Sequence, residues 1–226
     1  MSVLDELVSG AVEDARAREK VVPLDEVKRR AAQAAAPIDA SQWLKRPDGI
    51  PVIAEIKRAS PSKGHLSDIP DPAALAREYE QGGASAISVL TEGRRFLGSL
   101  GDFDKVRAAV HIPVLRKDFI VTEYQIWEAR AHGADLVLLI VAALNDDRLK
   151  TLLDLAHSLN MTVLVETHTR EEIQRAIKVG AKVIGINARN LKDLKVDVNK
   201  YNELAADLPD DVIRVAESGV FGAVEL

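Results

Sequence analysis

The segment Val52-Ile53-Ala54-Glu55-Ile56-Lys57 holds a carboxylate and an ammonium two residues apart inside an apolar run. Positions two apart in an extended strand point the same way. Glu55 and Lys57 therefore share one side, while Val52, Ala54 and Ile56 make the other side wholly apolar. A strand so built carries a charge pair where packing alone would want a hydrocarbon. Ser60-Pro61-Ser62-Lys63-Gly64 follows, rich in hydroxyls and turn formers, and reads as a substrate-binding loop after a catalytic strand end.

The same pattern recurs down the chain. Lys117 ends Leu115-Arg116-Lys117-Asp118-Phe119, and Glu166 ends Val163-Leu164-Val165-Glu166. Asn187 and Arg189 close Ile186-Asn187-Ala188-Arg189-Asn190, and Glu217, Ser218 and Gly219 close Val215-Ala216-Glu217-Ser218-Gly219. Each has a structural reading: Lys57 and Glu55 as an ion pair at a barrel mouth, Asn187 as a loop cap, Arg189 as the partner of Asp193. The functional reading rests on five strand ends matching in type and inward parity. Two lysines and two or three glutamates in one apolar mouth suit paired acid and base work, because burial and like charges move such pKa values toward neutrality. Ser60, Ser218 and the Gly219 amide are donors of the kind that hold a phosphate, and Arg189 can hold a carboxylate bidentately. The chemistry expected is acid–base conversion of a small phosphorylated acid, with no cofactor and no metal. Of the histidines, His65 lies near the first loop, while His111, His132, His157 and His168 fall at turns or helix ends, where a cation suits the dipole. None is assigned to catalysis.

These residues need a frame. From Pro51 on, apolar strands at 52–57, 85–91, 113–118, 135–141, 162–166, 182–187 and 212–217 alternate with helical patterns at 72–82, 102–110, 122–132, 145–159, 170–179 and 198–207. Gly83-Ala84, Gly133-Ala134 and Gly180-Ala181 each close a helix and open a strand. Such alternation gives a parallel α/β fold, barrel or open doubly wound sheet. An open sheet gathers its ligand groups at one crevice; here they are spread over five strand ends, and no G-x-G-x-x-G follows the first strand. The fold class expected is α/β, a (β/α)8 TIM barrel, with one domain spanning 1–226. Its first fifty residues form an N-terminal helical extension, and residues 51–226 supply βα units 1 to 7. The chain ends at Leu226, so the eighth unit is expected to be missing, the barrel not to close, and a protein ending there to have little activity.

In the extension, a helix is expected over 2–19, capped by Ser2 and Asp5, with Leu4, Leu7, Val8, Ala11 and Ala15 on one face. A second runs from Pro23 through the Ala-rich 31–36, and 37–50, with Trp43, Pro47 and Gly49, reads as a connector. Composition narrows the partners. At 226 residues, 47% hydrophobic but 4% aromatic, the core must be aliphatic. A net charge of −5 argues against nucleic acid or an anionic membrane. No cysteine is present, which removes disulfides and thiolate catalysis. No apolar stretch reaches about 18 residues, and Asp5 and Glu6 stand where a signal peptide carries positive charge. The reading is a cytoplasmic monomer acting on a small molecule.

Ile53-Ala54-Glu55-Ile56-Lys57-Arg58-Ala59-Ser60-Pro61-Ser62 resembles the signature segment of the indole-3-glycerol phosphate synthase family. So do Val89-Leu90-Thr91-Glu92 with Phe96, Gly98, Ser99 and Leu100, and Pro113 through Phe119, Gly185 through Leu191 and Ala216 through Val220. The resemblance covers nearly the whole chain and implies a barrel with extra N-terminal helices. It implies conversion of 1-(2-carboxyphenylamino)-1-deoxyribulose 5-phosphate to indole-3-glycerol phosphate, with loss of carbon dioxide and water, in tryptophan biosynthesis. It further implies Lys117 as general acid, with Glu55 and Glu166 handling anilinium charge and the dehydration proton. Lys57 would contact anionic groups and share in dehydration, and Asn187 would orient the substrate. Ser60 and Arg189 would meet the carboxylate, Ser218 and Gly219 the phosphate, and Glu217 the ribulose hydroxyls. Phe96, Phe119, Leu90 and Leu138 would wall the aromatic ring. One alternative is a phosphoribosylanthranilate isomerase-like barrel, whose usual cysteine base is absent. The other is a non-catalytic phosphate-binding barrel, which loss of Glu55, Lys117 or Glu166 would have favoured.

Overall fold

Near-continuous apolar runs must bury both faces of a strand, and the chain does this by curling one sheet around a core and wrapping helices outside it. The computed structural model describes residues 2–45, 49–190 and 194–220; Pro47, Leu191 and Asp193 lie outside them. Helices α1 (Val3–Val21), α2 (Leu24–Gln33) and α3 (Ala40–Trp43) precede strand β1 (Ile53–Ile56) and a small hairpin, β2 (Ala59–Ser60) and β3 (Gly64–His65). There follow α4 (Pro72–Gln81), β4 (Ala86–Leu90), α5 (Leu100–Ala109), β5 (Val114–Lys117), α6 (Glu123–Ala131) and β6 (Leu136–Ile140). The last elements are α7 (Asp146–Ser158), β7 (Thr162–Thr167), α8 (Arg170–Lys178), β8 (Val183–Asn187), α9 (Asn199–Ala205) and β9 (Ile213–Glu217).

Seven strands pair in parallel in the order β1-β4-β5-β6-β7-β8-β9. Among the described residues β1 and β9 are the two edges, so the sheet is an open, part-closed version of the expected TIM-type barrel. Side-chain parity builds two cores. Inward residues Leu115, Leu136, Leu138, Ile140, Leu164 and Val183 fill the concave side with Ile53 and Val215. Outward residues Ile87, Val89, Val137, Leu139, Val165 and Ile184 pack on helix residues such as Phe103, Ile126, Leu152 and Ile173. Register lines up the functional ends: Glu55 lies beside Ser88, Leu90 beside Lys117, Glu166 beside Gly185 and Asn187 beside Glu217.

The extension departs from its sequence pattern in two places. α2 stops at Gln33, short of the Ala-rich stretch through 36. Alanine favours helix, but here tertiary bonds win: the Arg130 guanidinium donates to the Ala35 carbonyl, and the Ile38 amide donates to Asp135 Oδ1 at 2.7 Å. The connector holds α3, whose N-cap Asp39 accepts from the Ser41 amide at 3.0 Å. Ala40 and Leu44 then join the inner cluster. α1 begins with the expected capping box between Ser2 and Asp5, and Val3, Leu4 and Leu7 reach the mouth of the site.

Candidate active site

Because every sheet strand runs the same way, residues at strand C-terminal ends share one rim. Every expected site residue lines one cavity of about 480 Å³ at that rim. β1 supplies Glu55 and, just beyond it, Lys57; β5 supplies Lys117, β6 Leu138, β7 Glu166, β8 Asn187 and β9 Glu217. Ser60 comes from the hairpin, Arg189 from the loop after β8, and Ser218 and Gly219 from the turn after β9. Phe96 and Phe119 stand with ring centroids 6.0 Å apart, making an aromatic wall with Leu138 and Leu90.

Ammonium and carboxyl groups alternate around this rim. Lys57 Nζ donates to Glu55 Oε1. Lys117 Nζ lies 3.0 Å from Glu55 Oε2 and 3.4 Å from Glu217 Oε2. Burial opposes ionisation of Glu55, but the ammoniums of Lys117 and Lys57 outweigh it and hold the carboxyl at about 2. Burial also opposes the charge on Lys117, yet Glu55, Glu217 and Glu166 raise its pKa. Glu217 goes the other way. Burial and the neighbouring Glu166 carboxylate push it up to about 8, only partly offset by Lys117. Glu166, 3% exposed, is kept low against burial by His168, Lys117 and the Asn187 amide. Of two neighbouring carboxyls, then, one is charged and the other keeps its proton, which is the arrangement a site needs to run acid and base steps at one pH.

The loops hold the remaining groups. Asn187 Oδ1 accepts from the Arg189 amide at 2.9 Å, so it caps its loop while facing the cavity. Arg189 Nη1 donates to Ser62 Oγ at 3.2 Å and to the Leu194 carbonyl at 2.9 Å, tying the β8 loop to the hairpin. Ser218 and Gly219 both adopt left-handed backbone, with φ of 67° and 75°, and Tyr201 Oη donates to the carbonyls of Glu217 and Ser218. Phe96 is placed by Glu92, whose buried carboxylate accepts the amides of Arg94, Arg95 and Phe96 at 2.8–2.9 Å. Among the described residues no three His, Asp or Glu side chains are grouped to hold a metal ion.

His168 is the residue the sequence misplaced. It precedes α8 at the positive end of that helix dipole, where a cation is not favoured, and it is 7% exposed. Glu166 and Glu172 hold it instead, through contacts of 3.3 and 3.2 Å to its two ring nitrogens. A sequence signal was present: a histidine two residues past a buried strand-end glutamate shares its side of an extended chain.

An α/β barrel sheet with ammonium and carboxyl groups converging at its C-terminal rim defines a barrel enzyme of the acid–base kind. The model of the family described as indole-3-glycerol phosphate synthase matches residues 4–226. The indole-3-glycerol phosphate synthase of Rhodococcus opacus (strain B4) is 61% identical over 226 residues, covering 100% of this chain and 84% of that protein. That of Mycolicibacterium smegmatis is 60% identical over 225 residues, covering 100% and 82%. The chain belongs to the indole-3-glycerol phosphate synthase family. A solved structure titled as the N-acetylmannosamine-6-phosphate 2-epimerase of Clostridium perfringens shares the fold, with a TM-score of 0.57 at 17% identity over 77% of this chain and 78% of that one.

Proposed function

We propose that this protein converts 1-(2-carboxyphenylamino)-1-deoxyribulose 5-phosphate to indole-3-glycerol phosphate, as a carboxy-lyase of tryptophan biosynthesis, with its helical extension and barrel sheet working as one cytoplasmic, monomeric domain. The observation that carries the reading is the placement of Lys117 between Glu55 and Glu217, in one cavity with Glu166 and an aromatic wall. The substrate's aromatic ring fits between Phe96, Phe119 and Leu138, its carboxylate toward Ser60 and Arg189, and its phosphate toward the Ser218–Gly219 turn. Lys57 adds a cation beside the anionic groups, and Asn187 orients the sugar chain. Lys117 protonates the carbonyl oxygen as the ring carbon attacks it, forming the carbon–carbon bond. Glu55 stabilises the positive charge that this places on the nitrogen. Loss of carbon dioxide restores electrons to the ring, and water leaves as Glu166 removes a proton and an acid protonates the departing hydroxyl. Glu217, which keeps its proton to about pH 8, faces that hydroxyl.

Incubating a full-length version of the protein with this sugar phosphate should give an indole fluorescence signal. Replacing Lys117 by Ala should lower kcat by roughly 10²–10⁴, the usual size of a general acid's contribution. A Lys117→Ala protein with the original kcat would discard the assignment.

A further inference from the structure

His168 lies just behind the cavity wall and is absent from its lining. Its ring is enclosed by two carboxylates on different elements: Glu172 Oε2 of α8 lies 3.2 Å from Nδ1, and Glu166 Oε1 of β7 lies 3.3 Å from Nε2. Glu172 is itself anchored, since Oε2 also accepts the His168 backbone amide at 2.7 Å. It stands in the first turn of α8, where the helix favours a negative charge. Nδ1 therefore carries a proton toward Glu172. Nε2 is buried and has no well-aligned hydrogen-bond acceptor, yet a carboxylate oxygen faces it. A lone pair on Nε2 would confront the lone pairs of Glu166. The contact is favourable only with a proton between them, on the ring or on the carboxyl.

We propose that His168 is the positioning residue for Glu166, holding one proton between Nε2 and Oε1 so that this oxygen is engaged and the other is aimed at the substrate. This rests on the reading above of Glu166 as the base in dehydration. Asn187 fixes the same carboxylate from β8, and Lys117 of β5 and Glu217 of β9 act on it from across the cavity. The carboxylates outweigh the burial of the ring and raise the pKa of His168 to about 9. An imidazolium thus stands behind Glu166 at neutral pH and keeps it ionised through each substrate encounter.

The test combines kinetics with a titration that needs no turnover. His168→Gln keeps a hydrogen-bond donor and removes the cation. It should lower kcat roughly 10- to 100-fold, less than loss of the base itself, with KM little changed. It should also move the acidic limb of the kcat profile upward by about one pH unit or more, as loss of an opposite charge at this distance requires. Glu172→Gln, outside the cavity, leaves the ring protonated beside Glu166 at acid pH, so it should leave that limb unraised while lowering the ring's own titration midpoint, and serves if the first variant does not fold. Following the His168 ring by NMR should show its proton retained above pH 8, with the midpoint lowered by about a unit or more in Glu166→Gln. A midpoint near the ordinary 6.5 that ignores Glu166→Gln overturns the proposal, as does a loss of kcat with an unmoved limb in His168→Gln. If the ring titrates as expected but the sugar phosphate is not converted, the proposed function fails while the His168–Glu166 coupling stands.

Discussion

At the scale of single residues, the site depends on space withheld as much as on groups supplied. Gly185 sits mid-strand in β8, paired with Glu166 on one side and Val215 on the other. A Cβ there would come within 2.1 Å of Glu217 Oε1 and 3.3 Å of Leu164 Cδ1. Glycine is needed here for close approach, not for a special backbone angle. Gly185→Ala must push Glu217 off its place beside Lys117. Misplacing a reacting group by about 1 Å can cost on the order of 10² in rate, so kcat should fall at least about tenfold. An Ala variant that folds, with kcat intact, would show that the position of Glu217 is immaterial. The charge pattern explains why Lys117 is so responsive: it pairs with the Glu55 carboxylate and also lies against the Glu217 carboxyl, so its removal reorganises both.

At the scale of elements, the strands were legible because they are short, near-continuous apolar runs, as parallel strands covered on both faces are, and inward parity correctly grouped Glu55, Lys117, Glu166, Asn187 and Glu217. What escaped had no period to read. The β2–β3 hairpin has two residues per strand and α3 has four, too few for any pattern. α5 begins at Leu100, earlier than the expected 102, because Ser99 accepts the Asp102 amide as its N-cap. The setting of His168 arises from burial at a strand–helix junction, which composition does not encode. Equally hidden was the anchor behind β5. Arg116, with no exposed surface, meets Asp118 at 3.1 Å and Glu128 at 2.9 Å, while Arg18 of α1 reaches Glu128 at 2.7 Å. One buried chain of charges therefore joins the helical extension, α6 and the strand that bears Lys117. Arg116→Met keeps much of the volume but strips a buried pair of its cation, a change that costs about 3–5 kcal/mol in comparable cases. Urea unfolding should show a loss of that order, and a loss under about 1 kcal/mol would mean that the chain of charges adds little to the fold.

At the scale of the whole molecule, the rim charges exist as a set only when β1, β5, β7 and β9 are brought together, so their protonation is linked to folding. Glu55 is lowered from 4.5 to about 2 in the folded protein; its contribution is complete above about pH 4.5 and is lost as pH falls through 2. His168 is raised from 6.5 to about 9; its contribution is complete below about pH 6.5 and is lost as pH rises through 9. Glu217 is raised from 4.5 to about 8, so the folded state holds a proton that the unfolded chain has released. That proton also favours the fold at low pH, and the advantage drains away between about 4.5 and 8. Three groups thus place the stability maximum on the acid side of neutrality, with a decline toward pH 9. Glu217→Gln supplies a permanently neutral side chain of the same shape and isolates one of them. Thermal melts of the two proteins across pH 5–9 should show Tm falling with pH in the unsubstituted protein and falling distinctly less from 5 to 8 in the variant. Parallel curves would mean that Glu217 is already ionised in the folded site, and the division of labour between Glu166 and Glu217 would have to be redrawn.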